Sequence, residues 1–318
     1  MGIVDFTRAV RAAEEWRPGR RAFLGGLAAL SFLPARAFAQ TKIPVVATFT
    51  ILADFVAQVG GARVAVSSLV GPDGDVHAYS PSPADARKLA EARLIVENGL
   101  HLEGWIGRLV KTSGARARIV VASKGVAIRK EDHEEHAGHG GHDEVDPHAW
   151  QNVANAKIYV ANIRDALIAA DAEGAAEYAS RAKNYLAELD ALDAWVRAAI
   201  ARIPPERRRI VTSHDAFGYF GQAYGLALAA PAGVSTETDI SARDVAKIVA
   251  QIKKDKYPAV FLENVGDPRL IEQIARETGA KVGGKLYADG LSPPSGPAGT
   301  YIAMVKHNIS ELTKALAP

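Results

Sequence analysis

Nine histidines and 36 acidic residues are the groups in this 318-residue chain best suited to holding a metal ion, and there is no cysteine to join them. Four of the histidines, His133, His136, His139 and His142, recur at every third position in DHEEHAGHGGHDE. Gly138, Gly140, Gly141 and the acidic neighbours make this segment a polar loop rather than a packed element. Imidazole favours zinc, copper and nickel, so such a loop can catch these ions weakly, against the entropy of ordering it. A solvated spacer would have the same composition.

Other candidates stand singly in turn-rich contexts. His77 ends GPDGDVH after a predicted strand, and His148 sits in DPHAW just before a predicted helix. His214 follows RRIVTS, and Asp289 follows KVGGKLYA. Three of these four lie at the carboxyl ends of predicted strands, where open α/β sheets bind ligands. They are spread over most of the chain, so only a tertiary fold could bring them together. Taken one by one, each His is more often a structural hydrogen-bonder than a ligand. Asp75 and Asp146 are candidate partners for the rings of His77 and His148, or simply turn and cap residues.

The elements that would carry these residues alternate. Ile43–Phe49, Val64–Val70, Arg93–Glu97 and Arg118–Ala122 read as strands, with helices near 51–60, 82–91 and 103–113. Such alternation predicts a parallel sheet covered by helices. Residues 152–170 and 175–202 then read as helices. The second would be about 42 Å long at the usual helical rise, and Pro204-Pro205 stops it. Beyond it, strands at Arg209–Ser213, Leu226–Ala230, Ala259–Leu262 and Lys281–Leu286 alternate with helices near 215–223, 241–255, 267–277 and 298–315. The expected fold class is α/β: two similar lobes, each a mostly parallel sheet covered by helices, joined by one long rigid helix. The expected limits are 40–170, with the His-rich loop at 132–143, then 171–204 for the linking helix and 205–318.

Residues 1–39 read as an export signal rather than structure. Arg20-Arg21-Ala22-Phe23-Leu24 before a short apolar run has the form of a twin-arginine signal, and Ala37-Phe38-Ala39 that of a cleavage site. A general secretory signal is the other route, and both lead to the periplasm. Hydrophobic residues make up 48% of the chain and charged residues 23%. That composition belongs to a globular protein. The net charge of +2 gives no electrostatic footprint for nucleic acid. No apolar run approaches the ~20 residues of a membrane-spanning helix.

Six segments in order, GPDGDVHAYSPSPAD, NGLHLEGW, VDPHAWQN, SHDAFGYFGQAYGL, LENVGDPRLIEQIARETGA and YADG…GTYIAMVKHN, closely resemble the zinc and manganese substrate-binding proteins of ABC importers (cluster A-I, TroA-like). The resemblance covers essentially the whole chain after residue 39. It implies two α/β lobes joined by a long helix, with a metal held between them by His77, His148, His214 and Asp289. By the same comparison, Glu263 is a rival carboxylate in a structural segment, and His101 and His307 are structural.

Three imidazoles and one carboxylate suit four-coordinate zinc, whereas manganese prefers more oxygen donors. Manganese members typically place a carboxylate where His214 stands, and zinc members carry a His-rich loop. The resemblance therefore implies a zinc-type protein that captures Zn2+ and delivers it to an ABC permease and its ATPase, with Mn2+ as the alternative. A periplasmic zinc chaperone is a further candidate partner, and a monomer is expected. Rival readings are a zinc chaperone or buffer, an adhesin, and a zinc hydrolase. The hydrolase is disfavoured, because no HExxH motif occurs and a fourth protein ligand closes the site. The chain is expected not to be an enzyme.

Overall fold

The strands are short apolar runs with both faces covered. The computed structural model describes residues 41–130, 145–237 and 240–317. The expected export signal and the four histidines at 133–142 lie outside the described residues. The first sheet contains β1 (Ile43–Ala47), β2 (Val64–Ser68), β3 (Leu94–Glu97) and β4 (Arg118–Val121), all parallel, in the order β2-β1-β3-β4. The second repeats the pattern with β5 (Arg209–Val211), β6 (Ala227–Ala229), β7 (Ala259–Glu263) and β8 (Lys281–Leu286), in the order β6-β5-β7-β8. Each sheet has a switch point, between β1 and β3 and between β5 and β7, where chain connections leave in opposite directions and open a crevice.

Period-two alternation decides which layer each strand residue joins. Val46 and Ile95 face an outer layer with Leu89 of α2 (Pro83–Glu91) and Ile106 and Leu109 of α3 (Ile106–Ser113). Val211 and Val260 face another with Ile248 and Ile252 of α7 (Ala242–Asp255) and Ile271 and Ile274 of α8 (Pro268–Thr278). Their neighbours Val45, Ala47, Leu94, Val96, Ile210, Ala259 and Phe261 all enter one inner core shared by the two sheets. Burial on both faces explains why these strands read as continuous apolar runs.

The helices lining the shared core are α1 (Thr50–Gly60), α4 (Val153–Ala170), α5 (Ala175–Ala201) and α9 (Tyr301–Leu316). Helix α5 is the longest of them, at 27 residues. Its buried residues, Tyr178, Ala182, Tyr185, Leu189, Leu192, Val196 and Ala199, recur at three- and four-residue steps and form one apolar stripe. The linking helix is packed along α4, α1 and α9, and Lys42–Pro318 forms a single compact unit. Among the described residues, no helix is long and apolar enough to cross a membrane. Close packing also sets β8, where a Cβ at Gly283 would collide with the Phe261 ring.

A core common to both sheets predicts one cooperative transition. Leu189 is fully buried on α5, so Leu189→Ala should cost about 2–5 kcal/mol. Urea unfolding followed by far-UV circular dichroism and by tryptophan fluorescence should give coincident curves in both proteins. Separated curves would mean that the lobes unfold independently.

Candidate metal centre

The four scattered residues are brought together. Donor atoms of His77, His148, His214 and Asp289 all lie within 4.8 Å of one another, and all four residues are buried. His77 is carried by the loop after β2. Asp75 holds that turn by accepting the backbone N–H groups of His77 (2.9 Å) and Ala78 (3.3 Å) through Oδ1. His148 precedes a single 3-10 turn and α4, its ring 5.3 Å from that of Trp150. His214 leaves the end of β5, where Thr212 Oγ1 donates to its carbonyl at 2.9 Å. Asp289 follows β8. Its neighbour Ala288 donates N–H to Asn264 Oδ1 (3.0 Å), and the Ala288 carbonyl accepts from Trp150 Nε1 (3.0 Å) and Gln151 Nε2 (2.8 Å). The segment holding His148 is therefore bolted to the segment holding Asp289.

The donor atoms face a common point. His77 Nε2 lies 3.2 Å from His148 Nε2 and 3.6 Å from Asp289 Oδ2. Asp289 Oδ1 is 3.4 Å from His148 Nε2, and Oδ2 is 3.1 Å from His214 Nε2. A tetrahedral ion with ligands at about 2.0–2.1 Å holds its donors about 3.3 Å apart. Among the described residues, His214 Nε2 and both Asp289 oxygens are buried without a hydrogen-bond partner. Orphaned polar atoms of this kind are costly unless a ligand satisfies them. One dication at the centre would satisfy them all, so the donor set fits a metal. Because Asp289 turns both oxygens inward, the carboxylate can supply a second donor atom to the set.

Two rings are oriented from behind by carboxylates, as metal-ligating histidines commonly are. Asp146 Oδ1 lies 2.9 Å from His148 Nδ1 and accepts the His148 backbone N–H at 2.9 Å. Glu263 Oε2 lies 2.7 Å from His214 Nδ1, a close ionic contact rather than a linear hydrogen bond. Glu263 Oε1 accepts from the Ser213 N–H and hydroxyl, both at 2.6 Å, and from the His214 N–H at 3.1 Å. A proton kept on each Nδ1 leaves the Nε2 lone pair for the centre. Asp146 plays the part expected of a ring partner, whereas Asp75 serves the backbone turn. Glu263 does not join the donor set; it stands behind His214. The roles of Asn264 and Trp150 are not legible in the sequence, where the one signal is Asn264's place beyond a strand end. His101 is exposed and His307 contacts the Lys285 carbonyl at 2.9 Å, both away from the cluster.

The electrostatics describe a site that holds a proton where it could hold a cation. Burial pushes the His77 ring down to about 4, and its two histidine neighbours add to that push against the pull of Asp289. Burial alone would lower His214, but Glu263 and Asp289 outweigh it and raise the ring well above the ordinary value. For Asp289, burial works upward; His214, His148 and His77 overcome it and hold the carboxyl well below the usual carboxylate range. In the metal-free site the His214 imidazolium balances two carboxylates.

Two covered α/β sheets with a buried three-histidine, one-aspartate cluster at their switch points define a metal-binding protein of the two-lobed, helix-linked kind. Comparison with known proteins supports this class. A family model described as ZnuA, zinc-uptake complex component A, periplasmic, matches residues 45–315. The chain is 34% identical over 275 residues to the iron-binding protein YfeA of Yersinia pestis, covering 86% of each chain. It is 34% identical over 283 residues to the manganese-binding lipoprotein MntA of Bacillus subtilis, covering 87% of this chain and 91% of that one. The solved structure of the periplasmic zinc-binding protein TroA from Treponema pallidum superposes with a TM-score of 0.80 at 33% identity, covering 87% of this chain and 100% of that one. The chain belongs to the ZnuA family of metal-binding proteins. It is accordingly an extracytoplasmic substrate-binding component for an ABC transporter, and not an enzyme.

Two outcomes follow from this geometry. In the metal-free protein, nitrogen-15 NMR should show His77 titrating near pH 4 and His214 still charged at neutral pH. Metal must displace the His214 proton, so affinity should fall as pH is lowered, and calorimetry in buffers of different ionisation enthalpy should show protons released. A heat independent of buffer would contradict this. Asp146→Asn should weaken metal binding about 10–100-fold, read by competition against a fluorescent chelator.

Proposed function

We propose that this protein binds Zn2+ through His77, His148, His214 and Asp289 in the periplasm and hands it to an ABC permease driven by its ATPase. The observation that carries the zinc reading is His214: an imidazole completes a three-nitrogen set where an oxygen ligand would favour manganese. Three neutral rings and one carboxylate at near-tetrahedral spacing suit the filled d shell of zinc. At nitrogen sites zinc also stands above manganese in the natural affinity order.

Manganese is the second reading. The second inward oxygen of Asp289 allows a higher coordination number than four, and relatives of equal identity are named for manganese, iron and zinc. The histidines at 133, 136, 139 and 142 are proposed as an auxiliary capture segment that raises the local zinc concentration.

Native mass spectrometry of residues 40–318 tests both points, with and without residues 133–142 and with Zn2+ and Mn2+ offered at equal concentration. The expected result is one zinc retained in both forms and lost in His148→Ala. Retained manganese would overturn the zinc reading. Loss of zinc along with the loop would overturn the assignment to the four-residue cluster.

A further inference from the structure

Arg129 lies beyond β4, outside the four-residue cluster, yet its guanidinium touches a carboxylate on each side of it. Nη1 donates to Asp146 Oδ2 at 2.9 Å and lies 3.4 Å from Asp215 Oδ2. Asp146 is fully buried, and its other oxygen holds both the ring and the backbone N–H of His148. Asp215 is the residue after His214, and its N–H donates to the Gly233 carbonyl at 3.0 Å. A continuous path thus runs from His148 through Asp146, Arg129 and Asp215 to the His214 segment of the other lobe.

The berth of Arg129 is built for it. A Cβ at Gly218 would collide with the guanidinium. The Arg129 N–H donates to the Tyr219 hydroxyl at 2.8 Å, so its backbone too is tied across to the second lobe. The Asp146 N–H donates to the Arg129 carbonyl at 3.0 Å, and the next pair outward, Lys130 and Val145, forms an antiparallel bridge. Arg129 and Asp146 are therefore fixed to each other by backbone and by side chain.

We propose that Arg129 is a positioning residue that clamps the two lobes' halves of the metal site together and sets how slowly the metal leaves. The inference rests on the reading that the four-residue cluster binds the ion. The sign of the effect identifies the clamp. As a mere nearby positive charge, Arg129 would repel a dication, and removing it would tighten binding. As a clamp, its removal frees Asp146 and lets the His148 ring turn, so binding loosens. Both contacts are made from one nitrogen, Nη1, so Lys keeps the charge but loses the rigid planar group that fixes where that donor sits.

The test uses Arg129→Met, Arg129→Lys, Asp215→Asn and the Arg129→Met/Asp215→Asn double variant. Zn2+ release into excess chelator is followed by stopped flow, and the visible absorption of the Co2+-loaded proteins is recorded. Arg129→Met should release Zn2+ about tenfold faster and shift the Co2+ band, which reports ligand geometry and does not respond to global stability. Arg129→Lys should fall between Arg129→Met and the unaltered protein. Asp215→Asn should also speed release, and the double variant should be no faster than Arg129→Met, because both act on one clamp. Unchanged or slower release, an unshifted Co2+ band, or additive effects would overturn the proposal. Asp215→Asn carries the test by itself should Arg129→Met not fold. A wild-type protein that binds neither Zn2+ nor Co2+ would instead refute the metal-site reading.

Discussion

Three imidazoles and a carboxylate must keep their donor atoms aimed at one buried point, and most of the surrounding structure answers to that requirement. Unpaired, such atoms are among the costlier things a protein can bury. Left free, His148 and His214 would turn to hydrogen-bond elsewhere. Asp146 and Glu263 stand behind their rings and leave only the Nε2 atoms for the centre. Those carboxylates are held in turn by Arg129 and by the Ser213 backbone and hydroxyl.

The same constraint explains why the two lobes are so tightly joined. Their inner sheet faces share one core with α1, α4, α5 and α9. Around the site the segments are cross-tied. Tyr301 donates its hydroxyl to the Trp150 carbonyl at 2.7 Å, Leu291 N–H donates to Thr50 Oγ1 at 2.8 Å, and Thr236 Oγ1 donates to Asp75 Oδ2 at 2.7 Å. A closed centre of this kind binds by exchanging a proton for a cation. Opening it means breaking specific bonds between loops, because the packed helices resist hinge motion.

The chain on either side of the His-rich segment closes into a stem beside the centre, where Lys130 pairs with Val145 and Arg129 with Asp146. Beside that stem, His77, His148 and His214 are buried and held in loops next to the sheets.

Much of this was legible in the residues. Period-two and period-3.6 patterns located both sheets and every helix that carries a site loop, because burial on two faces or on one stripe leaves a strong local signal. Ordered motifs named the four residues that converge. Boundaries were less legible. The first strand reads through Phe49 but ends at Ala47, and the helices expected from 103, 215 and 298 begin at Ile106, Gly218 and Tyr301, because element ends are set by contacts with distant residues, such as that of Thr48 with Glu103. What the sequence determined is the set of elements and of metal-competent side chains, since both are local properties. Only the tertiary structure decided that Glu263 backs His214, that Asp75 serves a turn, that both Asp289 oxygens face inward, and that Arg129 bridges two carboxylates. Those are distances between residues far apart in the chain, which no local pattern encodes.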